Sequence, residues 1–152
     1  MYMPRPARFS DRASLCQLLQ AVGLPIEDLP EDPGHFFVLT DQQTVIGSAG
    51  MEPYDSVGLL RSVAITPDYR KAQLGKRLID AIEVHALVTG IQQLYLITTT
   101  ADGYFSKLGY SPVDRTAVPP AIAATQQFSG LCPSTARVMM KELGAGGLQQ
   151  RV

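Results

Sequence analysis

Apolar positions recur at two periods along this chain, and the switches between them outline the elements. "SDRASLCQLLQAVGLP" sets Leu15, Leu18, Leu19 and Val22 at helical spacing, behind a Ser10 or Asp11 cap and ahead of Gly23 and Pro25. A polar, proline-bearing connection, "IEDLPEDPGH", follows. Three extended runs come next, at residues 35–40, 44–54 and 58–66, divided by the turns "DQQ" and "DSV". That spacing predicts an antiparallel meander. Pro67-Asp68 breaks the third run, and Leu74, Leu78 and Ile82, continued by Val84 to Leu87, mark the buried face of a helix ending near Gly90. "IQQLYLITTT", residues 91–100, reads as a central strand, and the helical crossover before it favours a parallel neighbour. A short helix "ADGYFSKLG" with Gly109 as its cap, a strand "YSPVDRTAV", a helix "PPAIAATQQFSG" and a closing strand "STARVMMKEL" complete the order. The fold class is mixed α/β: a meander, a βαβ unit and a final pair. Residues 1–143 form one domain, and the glycine-rich residues 144–152 read as a disordered tail.

Composition narrows the function classes. A chain of 152 residues, 45% hydrophobic and 18% charged, has material for one sizeable core. The formal net charge of −1 argues against a general nucleic-acid binder. No apolar run approaches the ~18–20 residues that span a bilayer, so no membrane partner is expected. "MYMPRPARFS" lacks the apolar core of a signal peptide, which makes the cytoplasm the default compartment. Cys16 and Cys132 sit in no metal-binding spacing, and neither do His35 and His85. No metal is expected.

One stretch invites chemistry. "YRKAQLGKRL", residues 69–78, follows a strand and opens a helix, with Arg70, Lys71, Lys76 and Arg77 in ten residues. Free amides and the dipole at a helix start favour a phosphate. Gly75 lets a ligand approach the backbone closely. A solvated helix start with ordinary surface cations would carry the same residues, and spacing alone leaves the two readings even.

The wider context changes that balance. "SVAITPDYRKAQLGKRLIDAIEVHA" resembles the cofactor motif of the GCN5-related N-acetyltransferases, in which an Arg/Gln-x-x-Gly-x-Gly/Ala segment holds the pyrophosphate of acetyl-CoA. Arg70, Lys71, Ala72, Gln73, Leu74 and Gly75 match it except at Gln73, where the family prefers glycine. The amide there stays useful if the backbone is helical or nearly so. The resemblance covers nearly the whole chain. "YFSKLGY" is similar to the family's later helix signature, and "GLPIEDL", "GMEPYDSVGLLRSVAI", "DRTAVPPAI" and "TQQFSGLCPSTA" resemble a subgroup associated with arsenic resistance.

The resemblance implies a sheet with a splayed parallel strand pair. It also implies acetyl-CoA as cosubstrate, its pantetheine arm on the backbone of Val63, Ala64 and Ile65, and cofactor contacts from Arg70 to Lys76 and at Phe105. Acetyl transfer to an amine needs a base for the amine proton, a donor for the oxyanion and a proton for the thiolate. Glu52, near a strand end in "GMEPY", is the candidate base; a solvated strand-end glutamate is the alternative. Many family members place a tyrosine acid where this chain has Phe105. Tyr104 is next door but points about 100° away on a helix, so a packing aromatic competes with the acid.

Arg61 interrupts "LLRSV" and is either a clamp for a substrate carboxylate or half of an internal ion pair, for example with Glu52. Thr98, Thr99 and Thr100 end the central strand, where ligands gather, although β-propensity and capping by Thr100 explain them equally. Arg115 is a second candidate for an anionic substrate, with surface exposure as its alternative. Cys132 suggests an arsenic–thiol contact through the subgroup, against the usual fate of a buried small hydrophobe.

The leading function is acetyl transfer to the primary amine of a small amino-acid-like molecule, by direct attack in a ternary complex. A non-catalytic acyl-CoA-binding or sensory domain is the alternative, kept open by Gln73 and Phe105. A protein acetyltransferase ranks last, because no acidic run offers a groove for a lysine peptide. A homodimer through the C-terminal strands is expected, since "ARVMMKEL" is apolar enough to pair.

Overall fold

A computed structural model describes residues 2–70, 73–131 and 135–143. The helices are α1 (Arg12–Ala21), α2 (Leu74–Val88), α3 (Asp102–Lys107) and α4 (Pro120–Ala123). The strands are β1 (Arg5–Pro6), β2 (Phe36–Asp41), β3 (Thr44–Tyr54), β4 (Val57–Ile65), β5 (Gln93–Thr98), β6 (Ser111–Val113) and β7 (Arg137–Glu142). All seven strands belong to one sheet in the order β1-β2-β3-β4-β5-β7-β6. The β2–β3 and β5–β7 pairs are antiparallel, whereas β4 and β5 are parallel. The expected crossover through α2 therefore holds. The parallel register joins Val57–Gln93, Gly58–Leu94 and Leu59–Tyr95, while β4 itself runs on to Ile65.

The chain divides into two compact units. The first takes the residues up to Met51 together with Arg61–His85. Its core gathers Leu15, Leu18 and Leu19 of α1 with Phe36, Val38, Val45 and Ala64, and Cys16 packs half-buried against it. β3 carries glycine where side chains already fill the space: a Cβ on Gly50 would lie 2.4 Å from the Phe36 ring. The second unit takes Glu52–Leu60 and the residues from Ala86 on. Leu59, Tyr95, Ile122 and Val138 form its core.

Helix ends follow the sequence closely. Past α2, Gly90 adopts φ +90°, and Ile91 N–H reaches back to Ala86 C=O at 2.8 Å while Gly90 N–H bonds Leu87 C=O. That is the Schellman arrangement, which a left-handed glycine closes without a Cβ penalty. Gly109, at φ +99°, ends α3 in the same way.

Three expectations need correction. The buried face of α2 is Leu74, Leu78, Ile79, Ile82 and Ala86, while Val84, Leu87 and Val88 are exposed, because helical spacing carries them round to the other side. The strand read through "YSPVDRTAV" stops at Val113: the Asp114 carboxylate accepts from Thr116 N–H at 2.9 Å and turns the chain. The helix read through "PPAIAATQQFSG" lasts four residues, Pro120–Ala123. There the Thr125 hydroxyl bonds Ile122 C=O at 2.7 Å, and Gln127–Leu131 continues as a π-helical turn. β7 lies between β5 and β6 in the sheet. The sheet edges are the short β1 and β6, and each contains a proline, which blunts edge pairing. Cys132 and the tail after Leu143 lie outside the described residues.

Candidate active site

The first unit holds the β4–α2 junction. Thr66 N–H bonds Ile46 C=O at 2.8 Å and keeps the strand end on β3. Pro67–Tyr69 then forms a 3-10 turn, with Tyr69 N–H on Thr66 C=O at 2.8 Å. Arg70 folds back, its Nε donating to Ile65 C=O at 3.0 Å. Lys71 and Ala72 lie outside the described residues. Gln73 has φ +56°, and its C=O accepts the first helical bond, from Arg77 N–H at 3.2 Å. Helix geometry turns the first amides of α2, at Leu74 and Gly75, toward the space before the helix, where an anion can meet them. Lys76 adds a positive charge on the exposed side, where its ammonium meets Asp80 at 2.8 Å.

Gln73 is left-handed, not near-helical as the sequence reading required of it. A glycine suits such a backbone better than any residue with a Cβ. Gln73→Gly is therefore expected to stabilise the protein by about 0.5–1 kcal/mol. At an ordinary helical position the same change costs about 1 kcal/mol, so the sign of the shift in a urea midpoint decides the matter. A lower midpoint would show that Gln73 is not held left-handed.

Upstream, Ser62 also has positive φ, +57°, within β4, and its C=O accepts from the Ser48 hydroxyl at 2.6 Å. The kink disrupts strand alternation. Leu60, Arg61 and Ala64 are buried, whereas Ser62, Val63 and Ile65 are half-buried. Arg61 forms an internal ion pair: its guanidinium meets the Asp28 carboxylate at 2.7 Å, with side chains only 1% and 5% exposed. Arg61 Nε also donates to Ser62 Oγ at 3.1 Å.

His35 and His85, fifty positions apart, share a 2.9 Å hydrogen bond between ring nitrogens. Burial holds His85 below the usual imidazole range, and the charge of a protonated His35 adds to that. Among the described residues no group of three or more His, Cys, Asp and Glu could hold a metal.

The second unit holds the acid–base candidates. Glu52 is half-buried near the end of β3, and its carboxylate accepts a short hydrogen bond from the Tyr54 hydroxyl. Sequence reasoning missed Tyr54. The signal was the i, i+2 spacing in "EPY", which puts both side chains on one face of a strand. Tyr104 is 43% exposed and stacks edge-on against Phe105, which is buried and meets Tyr110 in turn. Thr98, not Thr100, caps the turn after β5, its Oγ1 accepting from Ala101 N–H at 3.0 Å. Arg115 donates to Ala136 C=O at 2.8 Å and lies 4.6 Å from the Phe128 ring centroid, where it fastens the π-turn.

A family model described as an acetyltransferase (GNAT) domain matches residues 32–112. The amino-acid acetyltransferase of Escherichia coli strain K12 is 27% identical over 120 residues, covering 78% of this chain and 26% of that protein. The chain thus spans about a quarter of the length of the curated relatives it matches. Among solved structures, N-acetylglutamate synthase from Neisseria gonorrhoeae, complexed with coenzyme A and N-acetyl-glutamate, superposes with a TM-score of 0.80 at 18% identity. That match covers 94% of this chain and 35% of the other. Rv2747 from Mycobacterium tuberculosis, in complex with CoA and NLQ, gives a TM-score of 0.77 at 19% identity, covering 93% and 99%.

Proposed function

The chain belongs to the GNAT acetyltransferase family, and we propose that it moves acetyl from acetyl-CoA to the primary amine of a small amino-acid-like molecule. The observation that carries this reading is the junction from β4 into α2: a pinned turn, a left-handed Gln73 and the first amides of the helix that follows. The pyrophosphate lies on those amides, with Arg70, Lys71, Ala72, Gln73, Leu74, Gly75 and Lys76 as its candidate contacts. The pantetheine arm follows the backbone of Val63, Ala64 and Ile65, and Phe105 contacts the cofactor from α3. Glu52 takes the amine proton, directly or through water, as nitrogen attacks the thioester carbon. The C–S bond then breaks and the proton ends on the thiolate, giving the amide and coenzyme A. Tyr104 or solvent delivers that last proton, and Glu52 returns its own through solvent.

Arg61, Thr98 and Arg115 are the candidate contacts for an acceptor carboxylate, and the acceptor class follows the amino-acid acetyltransferase relatives. The likeness to arsenic-associated acetyltransferases extends the proposal to arsenic analogues of glutamate. Two copies of the chain act together as a homodimer in the same proposal.

Coenzyme A release tests the reading. The acceptor panel holds glutamate, its phosphorus and arsenic analogues, polyamines, aminoglycosides and a lysine peptide, with the thiols of Cys16 and Cys132 subtracted. Release with the glutamate class is expected. Tight acetyl-CoA binding without release for any amine would replace this reading with a non-catalytic binding domain. Absence of binding would overturn both.

A further inference from the structure

Tyr69 ends the 3-10 turn immediately before Arg70, and its hydroxyl donates to the Asp41 carboxylate at 2.5 Å. The Tyr2 hydroxyl points at the same oxygen from 3.3 Å, and the two rings meet edge to face at 5.5 Å between centroids. Asp41 is the last residue of β2, paired with Thr44 across a two-residue turn. Both turn residues, Gln42 and Gln43, have positive φ, at +50° and +74°. Such a turn has the twist that suits a tight hairpin, so Asp41 sits at a fixed point of the sheet. The hydrogen bond to Asp41 pushes the Tyr69 phenol up to about 12, so Tyr69 remains a donor throughout the working pH range.

We propose that Asp41 is a positioning residue: through Tyr69, with Tyr2 bracing the ring, it presets the entrance to the acetyl-CoA phosphate junction. The proposal rests on the acetyl-CoA reading above. Within the turn before Arg70, the backbone bonds are local, from Tyr69 N–H to Thr66 and from Arg70 N–H to Pro67, and Thr66 N–H ties the turn's start to Ile46. Asp41 adds a tie to the far end of the turn, from 28 residues away in sequence. A turn held in its bound geometry loses less freedom when ligand arrives, and affinity rises without a new ligand contact. The effect belongs to binding of the phosphates, so it should appear in KM for acetyl-CoA and not in kcat.

The test compares wild type with Tyr69→Phe, Asp41→Ala and Asp41→Asn. Tyr69→Phe keeps the ring contact with Tyr2 and removes only the hydroxyl. Asp41→Asn keeps an acceptor and serves as the rescue. Coenzyme A affinity by calorimetry and steady-state kinetics with acetyl-CoA are measured together, and circular dichroism checks folding. Tyr69→Phe and Asp41→Ala are expected to raise Kd for coenzyme A and KM for acetyl-CoA about five- to tenfold, with kcat within about twofold. Asp41→Asn should recover most of the loss.

With S-acetylpantetheine, a donor without the pyrophosphate, folded Tyr69→Phe and wild type should be equal. Equal loss with both donors would mean a general structural role and overturn the inference. So would unchanged coenzyme A affinity in folded Tyr69→Phe. If wild type itself binds no coenzyme A, the acetyl-CoA reading fails first, which separates the two outcomes.

Discussion

Arg61→Ala should destabilise the protein by about 3–5 kcal/mol, because it leaves the Asp28 carboxylate buried without the guanidinium. The two side chains are 1% and 5% exposed and their charged atoms are 2.7 Å apart, so water replaces little of the lost interaction. Asp28→Ala should cost about as much by the converse route. At about 2–4 °C per kcal/mol for a chain of this size, the melting temperature falls by roughly 10 °C. The double change Arg61→Met with Asp28→Leu should recover most of that stability, since neither buried charge is then left without its counter-charge. It also separates the two roles open to Arg61. A folded double variant with intact acetyl transfer would remove the carboxylate clamp from the proposed function. A folded double variant with a raised KM for the amine acceptor alone would support it. A single Arg61→Ala within 1 kcal/mol of wild type would overturn the burial argument.

The Arg61 result also shows where the sequence ran short. A lone arginine among leucines announces a buried charge, and the internal ion pair was one of its two readings. Its partner Asp28 is 33 positions away in a loop of several acidic residues, and no local rule selects it. The same limit hid the Asp41–Tyr69 contact and the His35–His85 pair, both of which depend on strand order.

What period and punctuation encode came through. α1 with Leu15, Leu18 and Leu19 inward, the β2–β3 hairpin, and the parallel β4–β5 pair were all legible. Gly90 marked its helix end because a left-handed cap leaves a glycine in the sequence. Gln42, Gln43, Ser62 and Gln73 are left-handed without one, so they gave no signal. The helix read through "PPAIAATQQFSG" failed for another reason. Its apolar and capping residues suit a helix, but Thr125 and the Arg115–Phe128 contact favour a broken turn. Tertiary contacts won over propensity there.

Glu52→Gln should lower kcat for acetyl transfer by about 10²–10⁴-fold, the usual yield of a positioned base. The substitution is nearly isosteric, and the amide oxygen can still accept from the Tyr54 hydroxyl that now bonds the carboxylate. Shape and the Tyr54 contact are kept, and the capacity to take a proton is lost. KM for acetyl-CoA should therefore change little, because the phosphate junction is built from other residues.

The pH profile gives the second sign. At higher pH more of the acceptor amine arrives already neutral, so the missing base matters less. The ratio of wild-type to variant rate should shrink as pH rises. Tyr54→Phe removes a donor to the carboxylate but not the carboxylate, and should cost less than Glu52→Gln. Tyr104→Phe should cost least, since a thiolate leaves readily and solvent can protonate it. A Glu52→Gln enzyme within a few-fold of wild type at neutral pH would reject Glu52 as the base. Acceptors would then have to enter already deprotonated, and the Glu52–Tyr54 pair would be a structural contact at the end of β3.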